Sequence, residues 1–166
     1  MRPVTIGLAL ATLLAIATVA WARPPAAELA GVRIGMREDR AHAVLAKRGT
    51  RGAERAERDR EEEQETWTLR SGPWAYVTFG VSDARVHWIT AFARPAGPRV
   101  RYRDLGPLPT ARRSGRYYVM WQVPAAGGTP AYSIVARGTD STYVKSVSLS
   151  QAGRQHREAA EPDSAR

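Results

Sequence analysis

The chain has no cysteine. That excludes a disulfide framework, a thiolate metal site, a cysteine nucleophile and a lipid-acceptor cysteine behind a leader. Lysine is nearly absent too: Lys47 and Lys145 are the only two, so arginine carries the formal net charge of +9. A basic balance fits nucleic acid, anionic lipid or acidic polymer. A GC-rich genome encodes many arginines, so the excess by itself does not point to a partner, and export argues against nucleic acid. Long apolar runs are missing beyond the start of the chain.

Residues 1–22 have the layout of a secretory signal peptide. Arg2 supplies the charged start. Ile6 to Ala20 is an almost unbroken run of Ala, Leu, Ile and Val, and Ala20-Trp21-Ala22 places small residues before Arg23. Cleavage after Ala22 is expected. The alternative, a retained membrane anchor, is disfavoured because the run is shorter than the ~20 residues of a spanning helix. What remains is the size of one domain, periplasmic or secreted and monomeric.

The catalytic signatures are thin. The three histidines, His42, His87 and His156, show no metal spacing with a second ligand, so no metal or other cofactor is expected. There is no Gly-x-Ser-x-Gly elbow around Ser71, Ser114 or Ser133. Gly127-Gly128 lacks the lysine and following helix of a phosphate loop. Acids such as Asp83, Asp104 and Asp140 fall in turn sequences, where aspartate bonds the local backbone. An enzyme is not expected, and a hydrolase is the least favoured of three function classes.

The stretch from Glu65 to Arg94 organises the rest. Thr66 to Arg70 alternates polar and apolar, Ser71-Gly72-Pro73 breaks it, Trp74 to Val81 is rich in aromatic and β-branched residues, and Ser82-Asp83-Ala84 turns into Arg85–Ala93. Strict alternation puts Trp74, Tyr76 and Thr78 on one face and Val77, Phe79 and Val81 on the other. It likewise puts Val86, Trp88, Thr90 and Phe92 opposite His87, Ile89 and Ala91. Before these strands, Arg37 to Arg48 reads as a helix, with Ala41, Val44, Leu45 and Arg48 as its stripe, Glu38-Asp39 opening it, Lys47-Arg48 in its last turn and Gly49 ending it.

The Gly31-Val32 and Gly35-Met36 entry, Leu45 and Gly49 on the helix, Trp67 on a strand, then Val77, Phe79, Val86 and Ile89 resemble the α/β domain of β-lactamase inhibitor proteins. The same residues are similar to the small outer-membrane lipoprotein of the barrel-assembly machinery. The resemblance covers about residues 29–94. It implies an α/β domain, an envelope setting and a protein-binding rather than catalytic role. Three departures stand out: Arg37 where the family places a capping Ser or Thr, no lipoprotein cysteine, and a charged insertion before Trp67.

That insertion, residues 50–65, alternates arginine with glutamate and reads as an exposed helix or loop. Residues 23–28 form an extended linker. Arg99 to Arg103 fits a basic strand or an irregular crossing, and Asp104 to Ser114 a loop. Further strands are expected at Arg116–Val123, Ala131–Arg137 and Thr142–Ser150, with no internal repeat and a disordered tail at 151–166. The expected fold is α+β: an antiparallel sheet of about six strands in a meander, one N-terminal helix packed on one face, in a single domain over residues 29–150.

The leading functional expectation is a non-catalytic binding domain that contacts an envelope protein. The second is an arginine-mediated binder of anionic envelope polymer or lipid headgroups. Arg112, Arg113, Arg116, Tyr117 and Tyr118 form the candidate binding surface, because fixed positive charge beside aromatic faces suits carboxylate, phosphate and sugar.

Overall fold

Ala41 and Leu45 sit one turn apart and are both fully buried, which fixes the face that the first helix presents to the protein. In the computed structural model, which describes residues 25–52, 63–113 and 116–152, this helix, α1, spans Glu38–Ala46. Arg37 makes no side-chain cap; its guanidinium instead bonds Asp39 of the first turn at 3.2 Å. The last turn holds no basic residue, because Lys47 is already the C-cap. Gly49 does not end the helix but opens a strand, where a Cβ would come within 2.1 Å of the Thr68 carbonyl oxygen.

Among the described residues, eight strands form one antiparallel sheet: β1 Gly49–Arg51, β2 Glu63–Leu69, β3 Trp74–Ser82, β4 Arg85–Ala93, β5 Arg112–Arg113, β6 Tyr118–Val123, β7 Tyr132–Gly138 and β8 Val144–Gln151. The α+β class and the antiparallel sheet agree with the sequence reading; the count of about six strands does not. The additional strands, β1 and β5, are two- and three-residue edges built from Gly, Thr and Arg, too short and polar to show a period. The order is also not a simple meander. It runs β1-β2-β3-β4-β8-β7-β6-β5. After β4 the chain crosses to the far edge and returns, so the last strands of the two halves pair at the centre. The crossing carries a second helix, α2, at Tyr102–Leu105 and a 3-10 turn at Leu108–Thr110. Each half is therefore a helix followed by four antiparallel strands in sequence order. The doubling is one of element order, with an α2 of four residues against nine in α1, and no internal repeat is read from the sequence.

Both helical segments lie on the same side of the sheet. One row across that side is Glu65, Phe79, Ile89, Leu149, Ile134 and Trp121, matched residue to residue by the strand registers. The neighbouring row is Trp67, Val77, Ala91, Val147, Ala136 and Val119. All twelve are buried. Leu29, Val32, Ile34 and Met36 of the entry segment complete this core with α1, and Tyr102 and Leu105 complete it under the second half.

Two irregularities overturn the strict alternation expected in the centre. Trp74 pairs with Ala93 and Tyr76 with Phe92, so Ala75 is an extra residue and Trp74 turns into the core. Gly80 pairs with Trp88 and Val81 with Val86, so His87 is extra and Val86 is also buried. The signal peptide and its cleavage after Ala22, the middle of the charged insertion, His156 and the tail beyond residue 152 lie outside the described residues. The ends of the insertion are strand rather than helix or loop: Thr50 and Arg51 are exposed in β1 and Gln64 is exposed in β2, whereas Glu65 is buried in β2.

Candidate functional site

The second side of the sheet has no helix on it among the described residues. The registers set out its three rows. The middle row is Thr66, Thr78, Thr90, Ser148, Val135, Met120 and Arg112. One flank is Thr68, Tyr76, Phe92, Ser146, Arg137 and Tyr118; the other is Gln64, Gly80, Trp88, Ser150, Ser133 and Gln122. Hydroxyls bond along the middle row, Thr66 to Thr78 at 3.2 Å and Thr90 to Ser148 at 3.0 Å. Tyr76 and Phe92 stack at 4.4 Å with 17° between their planes, and Tyr76 remains 39% exposed. Trp88 lies flat on the strand beside it, its indole over Gly80, where a Cβ would come within 2.1 Å of Nε1. Gly80 is the residue that lets this indole lie against the sheet.

The five residues singled out as a binding surface do not act as one patch. Arg112 is exposed at the end of the middle row of the open face. Arg113 has its backbone opposite Val119 in β5. Tyr118 lies on the open face, with the guanidinium of its cross-strand neighbour Arg137 at 5.6 Å from its ring. Tyr117 precedes the strand; its ring takes Arg116 at 5.3 Å, and its carbonyl accepts hydrogen bonds from the Tyr102 hydroxyl at 2.8 Å and the Gly138 amide at 3.0 Å. Arg94 is structural: it donates to the carbonyls of Leu69, Gly72 and Trp74 and clamps the turn between β2 and β3.

The cluster that residue-by-residue reading did not assemble is on the buried side. Glu65 stands in a row of apolar residues with 4% of its surface exposed. Its carboxylate accepts from His42 Nε2 at 2.9 and 2.8 Å, from Arg51 at 3.0 Å and from the Trp67 indole at 3.2 Å. The His42 ring packs beside Trp67 and Phe79. Glu38 lies one turn before His42, 3.8 Å from the same nitrogen. This corrects the expectation that no histidine has a partner at ligand spacing: Glu38 and His42 are four residues apart on α1, a signal present in the sequence. Donor atoms of Glu38, His42 and Glu65 lie within 4.8 Å of one another. Both Glu65 oxygens already accept nitrogen donors, and one of those is a cation, which repels a metal ion. The arrangement is that of a buried carboxylate neutralised by its neighbours. Among the described residues the hydrogen-bond partner of the His42 ring is Glu65.

His87, the extra residue of the β3–β4 irregularity, is held between the Ser82 carbonyl and the Gln151 side chain, each at 2.8 Å. Its Nε2 carries the proton, because a carbonyl only accepts. Burial raises the pKa of Tyr102, with the Asp140 charge and Tyr117 adding to it, and burial alone raises that of Tyr132. Asp140 is held below the usual carboxylate range, first by the Tyr143 amide, then by that of Thr142.

Compared with known proteins, the chain matches no family model and has no significant match to a curated protein or a solved structure. No helix among the described residues is long and apolar enough to cross a membrane.

Proposed function

We infer that the chain is an exported, monomeric, non-catalytic binding domain of the cell envelope that docks a protein partner on the open face of its sheet. The observation that carries this reading is the stacked Tyr76–Phe92 pair, with Tyr76 exposed, on a face that no described helix covers. Interface cores are enriched in Tyr, Trp, Phe and Arg, and flat aromatic anchors supply most of the binding energy. The hydroxyl row beside the pair offers donors and acceptors without charge. Arg112 and Arg137 at the far end of the same face favour a partner whose facing surface is acidic. The leader-like residues 1–22 support export, and the likeness to envelope protein-binding domains over residues 29–94 supports the class of partner.

The test is capture from envelope extract with the chain lacking residues 1–22, at low and high salt, beside the Tyr76→Ala/Phe92→Ala variant. A specific protein retained by the parent and lost by the variant supports the reading, provided both have the same circular dichroism. Equal capture by parent and variant overturns it.

A further inference from the structure

At the strand ends beside the open face, two arginines share one ring. The crossing segment is pinned to the start of β8: the Val144 amide donates to the Val100 carbonyl at 3.0 Å, and the Tyr102 amide to the Thr142 carbonyl at 3.2 Å. Arg101 and Tyr143 form an isolated bridge. In extended backbone, residues two apart project to the same side, and Arg99 and Arg101 do so over Tyr143. Their guanidinium carbons lie 5.0 and 5.9 Å from its ring centroid. The backbone that carries the ring is held, because the Tyr143 amide donates to Asp140 at 2.7 Å.

A guanidinium lying on an aromatic face keeps the N–H groups of its edge for another partner. Among the described residues neither the Arg99 nor the Arg101 guanidinium is within 4.0 Å of a carboxylate. Two acids lie close by and are held by backbone amides: Asp104 Oδ2 accepts the Arg101 amide at 2.9 Å, and Asp140 Oδ1 accepts those of Thr142 and Tyr143. The other arginine–tyrosine pairs, Arg116 with Tyr117 and Arg137 with Tyr118, lie at the same end. Gly138, next to Arg137, pairs with Val144 and donates to the Tyr117 carbonyl. This end of the sheet is thus an arginine-rich edge whose guanidinium groups lie against rings and make no ion pair within 4.0 Å among the described residues.

We propose that Arg99 and Arg101, oriented by Tyr143, form a clamp for a phosphate group on an anionic ligand. Two guanidinium forks match a phosphate group, whose tetrahedral oxygens can take both forks, better than a planar carboxylate, which one bidentate fork already fills. The phosphate belongs either to a lipid headgroup or to a soluble phosphate chain. The site goes beyond the docking face: it sits at the strand ends and uses none of the open-face aromatics.

The test uses inorganic tripolyphosphate in titration calorimetry at low salt, and flotation with phosphatidylglycerol or phosphatidylcholine vesicles. Arg99→Gln/Arg101→Gln should weaken binding about tenfold or more, whereas Arg33→Gln/Arg40→Gln, two exposed arginines elsewhere with the same change in net charge, should alter it less than about twofold. Tyr143→Leu should also weaken it with every arginine kept, Tyr143→Phe should preserve it, and Asp140→Asn, which keeps the turn, should tighten it. Binding to tripolyphosphate without flotation supports a soluble source; flotation with phosphatidylglycerol alone supports a headgroup. Equal losses in the clamp and control variants, or no binding to either probe, overturn the proposal.

Discussion

Replacing Glu65 with alanine takes the acceptor from three nitrogen donors at once. The donors differ in what the loss costs them. The Trp67 indole N–H is in a residue only 6% exposed, so water does not replace the carboxylate, and an unsatisfied buried donor costs about 1–3 kcal/mol. The His42 and Arg51 side chains are 31% and 43% exposed, so both rehydrate. The Arg51 ion pair and the His42 hydrogen bond with Glu65 fall toward the surface range of about 0–1 kcal/mol each. The expected total is about 1–5 kcal/mol, reaching the roughly 3–5 kcal/mol of a fully enclosed pair broken on one side only if all three donors lose their full share. At about 2–4 °C per kcal/mol for a domain of this size, Tm should fall by roughly 2–20 °C. Urea unfolding followed by tryptophan fluorescence, with calorimetry as a second probe, measures it. A double-mutant cycle locates the source: in a Trp67→Phe background the donor is gone, so the cost of Glu65→Ala should shrink by about 1–3 kcal/mol. A Glu65→Ala variant within about 0.5 kcal/mol of the parent would refute the reasoning, as would a cost unchanged by Trp67→Phe.

Gly80→Ala should cost about 1–3 kcal/mol, because its Cβ needs the space the Trp88 indole fills; a shift of tryptophan emission should accompany the loss, and Trp88→Ala in the same background should relieve part of it. Burial raises the pKa of Tyr102 and Tyr132, so the fold favours their protonated forms. The stability they contribute is intact below the unfolded-state value of about 10 and is lost as pH rises through the folded-state values. Urea midpoints should therefore decline above about pH 10, and Tyr102→Phe/Tyr132→Phe should flatten that decline; a parent midpoint constant through that range would contradict the assignment. Zinc added to the parent should leave Tm within about 1 °C, since Arg51 and the indole already occupy Glu65; a clear rise, abolished by His42→Ala, would make Glu38, His42 and Glu65 a metal site after all.

Much of this architecture is legible along the chain. The alternation in Thr66–Leu69, the apolar runs of Trp74–Val81 and Arg85–Ala93, and the Val119/Trp121 face of the sixth strand all appear at the period the fold uses. The helix stripe at Ala41 and Leu45 does too. The failures are equally local. Trp74 and Val86 change sides because an extra residue at Ala75 or His87 resets the alternation, and an inserted residue leaves no mark on composition. Glu65 looks like one more acid in a charged stretch, although it is the carboxylate on which His42, Arg51 and Trp67 converge. Its nearest clue was Glu38 four residues before His42, on the same helix face.

What the sequence determined by itself is local: which segments extend, which one coils, where glycine and proline turn the chain, and that cysteine chemistry is excluded. Those properties depend on neighbours within a few residues. The tertiary structure decided the pairing of β4 with β8, the placing of both helical segments on one side, and hence which aromatics face open solvent. It also brought Arg99 and Arg101 to Tyr143, more than forty residues away. Such choices are made by burying two apolar rows together, and the partners in those rows are distant in the chain, so no window along it contains them.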